Sequence, residues 1–146
     1  MKNTLNGKWV FDSNLLIYGL DKSSSRYHDV YHLFELGKEG KIQIIVAQQN
    51  IIETVHAFVK GYKSPIEEVI YNIKGLLDEL DIYIITPINK THSIFFEILS
   101  NSSDPSDIFD YYLAATMLDN GINRILTINT KDFSKIPGIE AVNPFK

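Results

Sequence analysis

Apolar positions along the chain alternate between short continuous runs and stripes at helical spacing. Lys8-Trp9-Val10-Phe11 is a short apolar run closed by Asp12-Ser13-Asn14, residues that favour helix caps, and an apolar segment resumes over residues 15–20. Strand, tight turn and helix are predicted there. Over 26–37 the apolar residues Val30, Leu33, Phe34 and Leu36 recur at helical spacing, with Gly37 and Gly40 as a stop. Residues 42–46 form a β-branched run typical of a strand buried on both faces. Residues 50–62 place Ile51, Ile52, Val55, Phe58 and Val59 at spacings of three and four, which predicts a helix with Glu53 in its first turns.

The second half repeats the alternation. Ser64-Pro65 opens a helix, with Ser64 as cap and Pro65 at the first helical position, that runs to about Leu80. Residues 81–86 read as a strand stopped by Pro87, and 91–99 as a helix. A polar loop over 101–106 ends in Ser106, which can cap a helix from Asp107 to about Asn120, stopped by Gly121. A strand over 124–128, a turn or short helix over 130–133, a turn at Pro137-Gly138 and a short strand over 140–142 complete the chain. Strands alternating with helices indicate an α/β domain whose largely parallel sheet is covered on both faces. In such sheets ligands bind beyond the carboxyl ends of the strands.

Composition narrows the chemistry. The chain of 146 residues suits one domain, 1–146, and its 45% hydrophobic and 22% charged content is that of a globular protein. The absence of cysteine excludes disulfides, thiolate metal sites and a cysteine nucleophile, which leaves oxygen and nitrogen ligands. The first nine residues hold no apolar run long enough for a signal peptide or a membrane span, so a cytoplasmic location without membrane contact is expected. A formal net charge of −4 argues mildly against coating duplex DNA. It leaves other nucleic-acid binding open, because a carboxylate cluster that holds divalent cations itself makes the formal charge negative.

Asp12 follows the first strand directly, and Asn129 and Asp132 follow the strand over 124–128, so both groups reach the carboxyl edge of the sheet. Glu53 and Asp110 each sit near a helix start, where the helix dipole favours a carboxylate. Four segments thus offer hard oxygen ligands of the kind Mg²⁺ and Mn²⁺ favour, with water retained as a nucleophile. Each residue has a plainer reading. Asp12 suits a helix cap, Glu53 an exposed helix face, Asp107 and Asp110 first-turn charges, and Asn129 with Asp132 a turn. His28 and His32 have the spacing of a zinc pair but lack the intervening glutamate, and read as a solvated face. Glu53 and His56 resemble half a di-iron site with no second copy. No glycine-rich phosphate loop or nucleophile elbow occurs. Tyr18, Tyr62 and Tyr111 read as core first, with stacking on bases as a secondary reading.

Taken together, Val10-Phe11-Asp12-Ser13-Asn14-Leu15-Leu16-Ile17-Tyr18, Gln48 to Glu53, Ile108-Phe109-Asp110-Tyr111-Tyr112-Leu113-Ala114-Ala115 and Leu126-Thr127-Ile128-Asn129-Thr130-Lys131-Asp132-Phe133 resemble the PIN-domain family over nearly the whole chain. Ser13 stands where the family commonly has Thr, and Asn129 where many members have Asp. The resemblance implies a three-layer α/β/α sandwich around a mostly parallel five-stranded sheet of order 3-2-1-4-5. It implies a ribonuclease in which Asp12, Glu53 and Asp110 hold Mg²⁺ or Mn²⁺, with Asp132, Asn129 or both at the fourth catalytic position. Asn14, Thr127 and Asn129 would orient the carboxylates, Asp107 is a secondary candidate, and Lys22, Arg26, Lys60, Lys63 and Lys131 would guide the RNA backbone. PIN domains of this length are often VapC-type toxins, dimeric and silenced by an antitoxin protein. Two other readings stand beside it: a catalytically inactive PIN module that binds RNA or a protein partner, and an unrelated α/β protein in which Asp12 accepts a phosphoryl group.

Overall fold

The structure is a computed structural model that describes residues 5–103 and 107–146. Its elements follow in the order β1 (Gly7–Phe11), α1 (Ser13–Leu20), α2 (Tyr27–Lys38), β2 (Ile42–Ala47), α3 (Gln48–His56), a π-helical turn (Ala57–Gly61), α4 (Ile66–Glu79), β3 (Tyr83–Ile85), α5 (Thr91–Ser100), α6 (Ile108–Asp119), β4 (Arg124–Leu126), α7 (Thr130–Phe133) and β5 (Glu140–Val142). The five strands form one parallel sheet in the order β3-β2-β1-β4-β5. The expected α/β/α sandwich with strand order 3-2-1-4-5 is therefore present.

The order places β1 at the centre, between β2 and β4, where Val10 pairs with Ile45 on one side and Ile125 on the other. Alternate residues of β1 enter different cores. Trp9 and Phe11 join Leu15, Leu33, Phe34 and Ile44 on one face, while Val10 joins Tyr111, Leu113, Met117 and Ile125 on the other. Burying each large side chain of this kind is worth about 1.5–3 kcal/mol. Between Leu113 and Met117 every residue of α6 is buried, and the small side chains of Ala114 and Ala115 let the helix lie close to the sheet. Such packing fixes the start of α6, and with it Asp110, against the end of β4.

Several boundaries differ from expectation for visible reasons. The helix predicted over 50–62 starts two residues earlier, at Gln48, and ends in the π-helical turn. Ser64 does not cap α4 and Pro65 is not its first residue: Pro65 is the cap position, the helix starts at Ile66, and no side chain caps it. The Ser64 N–H instead donates to the Phe58 carbonyl at 2.9 Å, closing the preceding turn. The strand predicted over 124–128 stops at Leu126, because Thr127 turns its hydroxyl towards Asp12 while its N–H still bonds Val142. β3 is shorter than the predicted 81–86, as the left-handed φ of 51° at Asp81 delays its start. The expected Ser106 cap lies outside the described residues, and Asp107 caps α6. No helix among the described residues is long and apolar enough to cross a membrane.

Candidate active site

Asp12 leaves the central strand as the N-cap of α1, its N–H still bonded to Leu126 of β4 and its Oδ1 accepting from the Ser13 N–H at 2.8 Å. The cap and ligand readings therefore coexist. One oxygen caps the helix, while Oδ2 accepts from the buried Thr127 hydroxyl at 2.7 Å. That hydroxyl in turn accepts from the Asn129 N–H at 3.0 Å. Thr127 thus links the end of β1 to the start of α7.

The Asn129 side chain continues the network. Its Nδ2 donates to Asp110 Oδ2 at 2.6 Å and to Asp132 Oδ2 at 3.1 Å, so the amide spends both hydrogens on carboxylates. Asp110 occupies the first turn of α6, and Asp107, one turn earlier, accepts from the N–H groups of Phe109 and Asp110 at 3.0 and 3.4 Å. Glu53 comes from α3, where Gln49 Nε2 reaches Glu53 Oε2 at 3.5 Å and the Phe109 carbonyl at 2.9 Å. Gln49 therefore ties the start of α3 to the start of α6.

Five carboxylates gathered in this way raise one another's proton affinity. Asp110 is pushed up to about 7 by burial first and then by the charges of Asp107, Asp12, Asp132 and Glu53. Burial likewise raises Asp12, against the opposing hydrogen bonds of Thr127 and Ser13, with the Asp107 charge adding to the rise. Glu53 is raised by burial and by Asp12, and Gln49, Ser13 and Asn50 pull it back. The mutual repulsion places Asp12, Glu53, Asp107, Asp110 and Asp132 in one electrostatic neighbourhood.

Of the remaining expected residues, Asn14 is partly buried and makes no hydrogen bond to these carboxylates among the described residues. Lys22, Arg26, Lys60, Lys63 and Lys131 are all exposed, and among the described residues none forms an ion pair with Asp12, Glu53 or Asp110. Arg26 instead lies 3.9 Å from Asp29, with its guanidinium 4.4 Å from the Phe145 ring centroid. The stacking reading of Tyr111 fails because its side chain is 1% exposed and its hydroxyl lies 3.2 Å from that of Ser102. Tyr62 is committed through its hydroxyl to Asp21 at 2.9 Å, and Tyr18 packs on Phe145. His28 and His32 are on an exposed helix face.

Sequence reasoning passed over two residues and gave Ser13 no role beyond its place in the first motif. The Ser13 hydroxyl lowers the proton affinity of Asp12 and of Glu53, Gln49 bridges two elements, and Lys135 pairs with Asp132 at 3.7 Å. Helical spacing gave a signal for two of them, since Gln49 precedes Glu53 by four residues and Lys135 follows Asp132 by three.

The donor set is made of hard oxygens, with burial and like-charge repulsion that a divalent cation would relieve, and so suits Mg²⁺ or Mn²⁺. Among the described residues, no three acidic or histidine side chains are spaced to enclose an ion directly. Sharing an ion partly through water, the habit of Mg²⁺, agrees with that spacing.

No protein-family model matches the chain, and no curated protein does. Solved structures do. A DNA-bound VapBC from Salmonella typhimurium aligns with a TM-score of 0.72 at 17% identity, covering 94% of this chain and 98% of that one. VapBC2 from Rickettsia felis, bound to a promoter DNA fragment, aligns at 0.69 with 18% identity, covering 93% and 98%. VapC20 from Mycobacterium tuberculosis, a sarcin-ricin loop cleaving toxin, aligns at 0.67 with 12% identity over 86% and 92%. At these identities the likeness is one of fold, and it spans nearly the whole chain.

Proposed function

We propose that the chain is a Mg²⁺- or Mn²⁺-dependent endoribonuclease that hydrolyses RNA phosphodiester bonds, acting as the toxin of a toxin–antitoxin pair. The observation that carries this reading is the convergence of Asp12, Glu53, Asp107, Asp110 and Asp132 at the carboxyl edge of the sheet, with Asp110 raised to about 7. Gathering carboxylates at such cost is a mark of function rather than stability. The toxin setting is supported by the fold shared with VapBC complexes and the VapC20 toxin.

In this reading Asp12, Glu53 and Asp110 hold the ion. When bound, it supplies positive charge that acidifies the attacking water and offsets charge building on the scissile phosphate. Thr127 keeps Asp12 Oδ2 oriented, the Ser13 N–H holds Asp12 Oδ1, and Asn129 fixes Asp110 and Asp132 as a pair. Asp132, at the rim beside Lys135, completes the acidic set near the incoming strand. Lys22, Arg26, Lys60, Lys63 and Lys131 serve as exposed cations for the backbone further out. The protein works in the cytoplasm, as a homodimer joined through the exposed Ile66, Ile70 and Tyr71 of α4.

The test is cleavage of single-stranded RNA by purified protein with Mg²⁺ or Mn²⁺, against chelator and against Asp110→Asn. Cleavage should leave a 5′-phosphate and vanish in both controls; cleavage that survives both overturns the metal mechanism. A second reading, an inactive module that binds RNA or a protein partner, is favoured by one observation. The Asn129 amide, where many PIN domains have Asp, already occupies oxygens of Asp110 and Asp132. RNA binding by wild type without cleavage at any divalent ion, with cleavage gained by Asn129→Asp, would select it.

A further inference from the structure

An apolar groove of about 600 Å³ opens beside the acidic cluster, with Gln49, Ile52, Glu53, Pro87, Phe109 and Tyr112 in its lining. Two of its walls are unusual for their exposure: Ile52 is 64% and Phe109 69% accessible. Each is the immediate chain neighbour of a site carboxylate, Ile52 of Glu53 and Phe109 of Asp110. Large hydrophobic side chains left in water beside the most polar part of a protein call for an occupant.

Several features constrain that occupant. No Lys or Arg lines the groove, and its titratable lining is the Glu53 carboxylate beside the single imidazole of His56, which does not make a phosphate cradle. An exposed phenylalanine face beside a tyrosine accepts a flat, uncharged ring. Gln49 braces this wall: its Nε2 donates to the Phe109 carbonyl at 2.9 Å and holds the backbone that carries the exposed ring, while its Oε1 is buried out of an occupant's reach. Glu53 is shared with the acidic cluster, so a phosphodiester held at the carboxylates has its neighbouring nucleotide beside the groove.

We propose that this groove is a nucleobase subsite, in which the unpaired base next to the scissile phosphate stacks on Phe109. The inference rests on the nuclease reading above and adds to it a single-stranded substrate and a place for one base. Stacking is sequence-tolerant, so Phe109 confers grip on any base.

Two measurements on the full chain test it. In cleavage of short single-stranded RNA with Mg²⁺, Phe109→Ala should raise KM roughly tenfold to a hundredfold while kcat changes little, and Phe109→Trp should restore wild-type KM. Tyr31→Ala, an exposed ring on α2, should leave KM unchanged. In the second, the indole added by Phe109→Trp reports on the groove, since native Trp9 is buried and gives a constant background. AMP should quench that emission and ribose 5-phosphate should not. An unchanged KM in Phe109→Ala with active wild type overturns the subsite and spares the nuclease. A KM rise in Tyr31→Ala as well, or quenching by ribose 5-phosphate equal to that by AMP, also overturns it. Emission that follows protein concentration instead assigns the groove to a second copy. If wild type cleaves nothing and AMP does not quench, both readings fall together.

Discussion

Where the strands begin, Arg124 lays its guanidinium 4.3 Å from the Trp9 ring centroid and donates to the Asn6 carbonyl at 2.8 Å. Where they end, Asp12 is 6% exposed and its oxygens rest on Ser13 and Thr127, neutral groups in a neighbourhood of four further carboxylates. One edge of the sheet satisfies its charge within the chain. The other accumulates like charge and answers it with dipoles, which lower the cost without cancelling it. A fold selected for stability alone has no use for the second arrangement. The difference locates the part of the molecule that is completed from outside.

The strongest way to break the comparison is to neutralise the crowded edge. Asp110→Asn removes the carboxylate that feels the other four most and should cut RNA cleavage by about 10²–10³-fold, measured as kcat. Without divalent ion the same variant should melt at a higher temperature than wild type, because a repelled charge has gone. It should also lose most of the stabilisation that Mn²⁺ gives wild type. A variant inactive yet less stable in chelator would mean that Asp110 is structural and the asymmetry between the edges is not one of function.

Thr127→Val comes next. The substitution keeps shape and burial but removes the donor to Asp12 Oδ2, leaving that oxygen short of a partner at a cost of about 1–3 kcal/mol in chemical denaturation. It also frees the carboxylate to turn, so Mn²⁺ affinity, read by calorimetry, should fall about 10–100-fold. Stability lost without any loss of ion binding would confine Thr127 to the core.

The legibility of these two edges in the sequence was unequal. The alternation of strands and helices and the positions of Asp12, Glu53 and Asp110 followed from residues whose local chemistry agreed with their tertiary role: a β-branched run, a capping Asp, a helix start; the strand order came from the family resemblance alone. Asp107 was readable only as a secondary candidate, because a first-turn charge and a member of a repelling cluster look alike along the chain. Of the hydroxyl and amide network, Thr127 and Asn129 were expected from the family resemblance alone and Gln49 was not expected, for a different reason. Thr127 ends β4 early to reach a residue 115 positions away, and Gln49 spans 60 positions to Phe109. Periodicity records which face a residue occupies and carries no information about such cross-element bonds. Tyr111 follows its first reading as core: α6 turns it inward against Val10, Met117 and Ile125, and its secondary reading as a stacking ring fails.

A pH titration of stability sharpens the contrast without any mutation. The folded Asp110 carboxyl holds its proton up to about 7, whereas in the unfolded chain it ionises near the ordinary value of 3.8. Between those values the folded state binds more protons than the unfolded one. Stability in chelator should therefore fall as pH rises from about 4 to about 7 and level off above. Asp12 and Glu53, both raised, act in the same direction. Thermal melts across this range should show the decline in wild type and a shallower one in Asp110→Asn. Mn²⁺ should reverse it above pH 7, where the carboxylates are charged and free to bind.

The smallest effect belongs to the satisfied edge. Arg124→Met keeps an unbranched chain over Trp9 and gives up the charge, the ring attraction and the bond to Asn6, so it should cost about 0.5–1 kcal/mol in denaturant unfolding. It should leave the pH dependence of stability, Mn²⁺ affinity and RNA cleavage at wild-type values, because its guanidinium sits at the opposite end of β4 from Thr127. A change in ion affinity comparable to that of Thr127→Val would show that charge at one end of the sheet is felt at the other. The two edges would then have to be treated as one electrostatic unit rather than as a scaffold and a site.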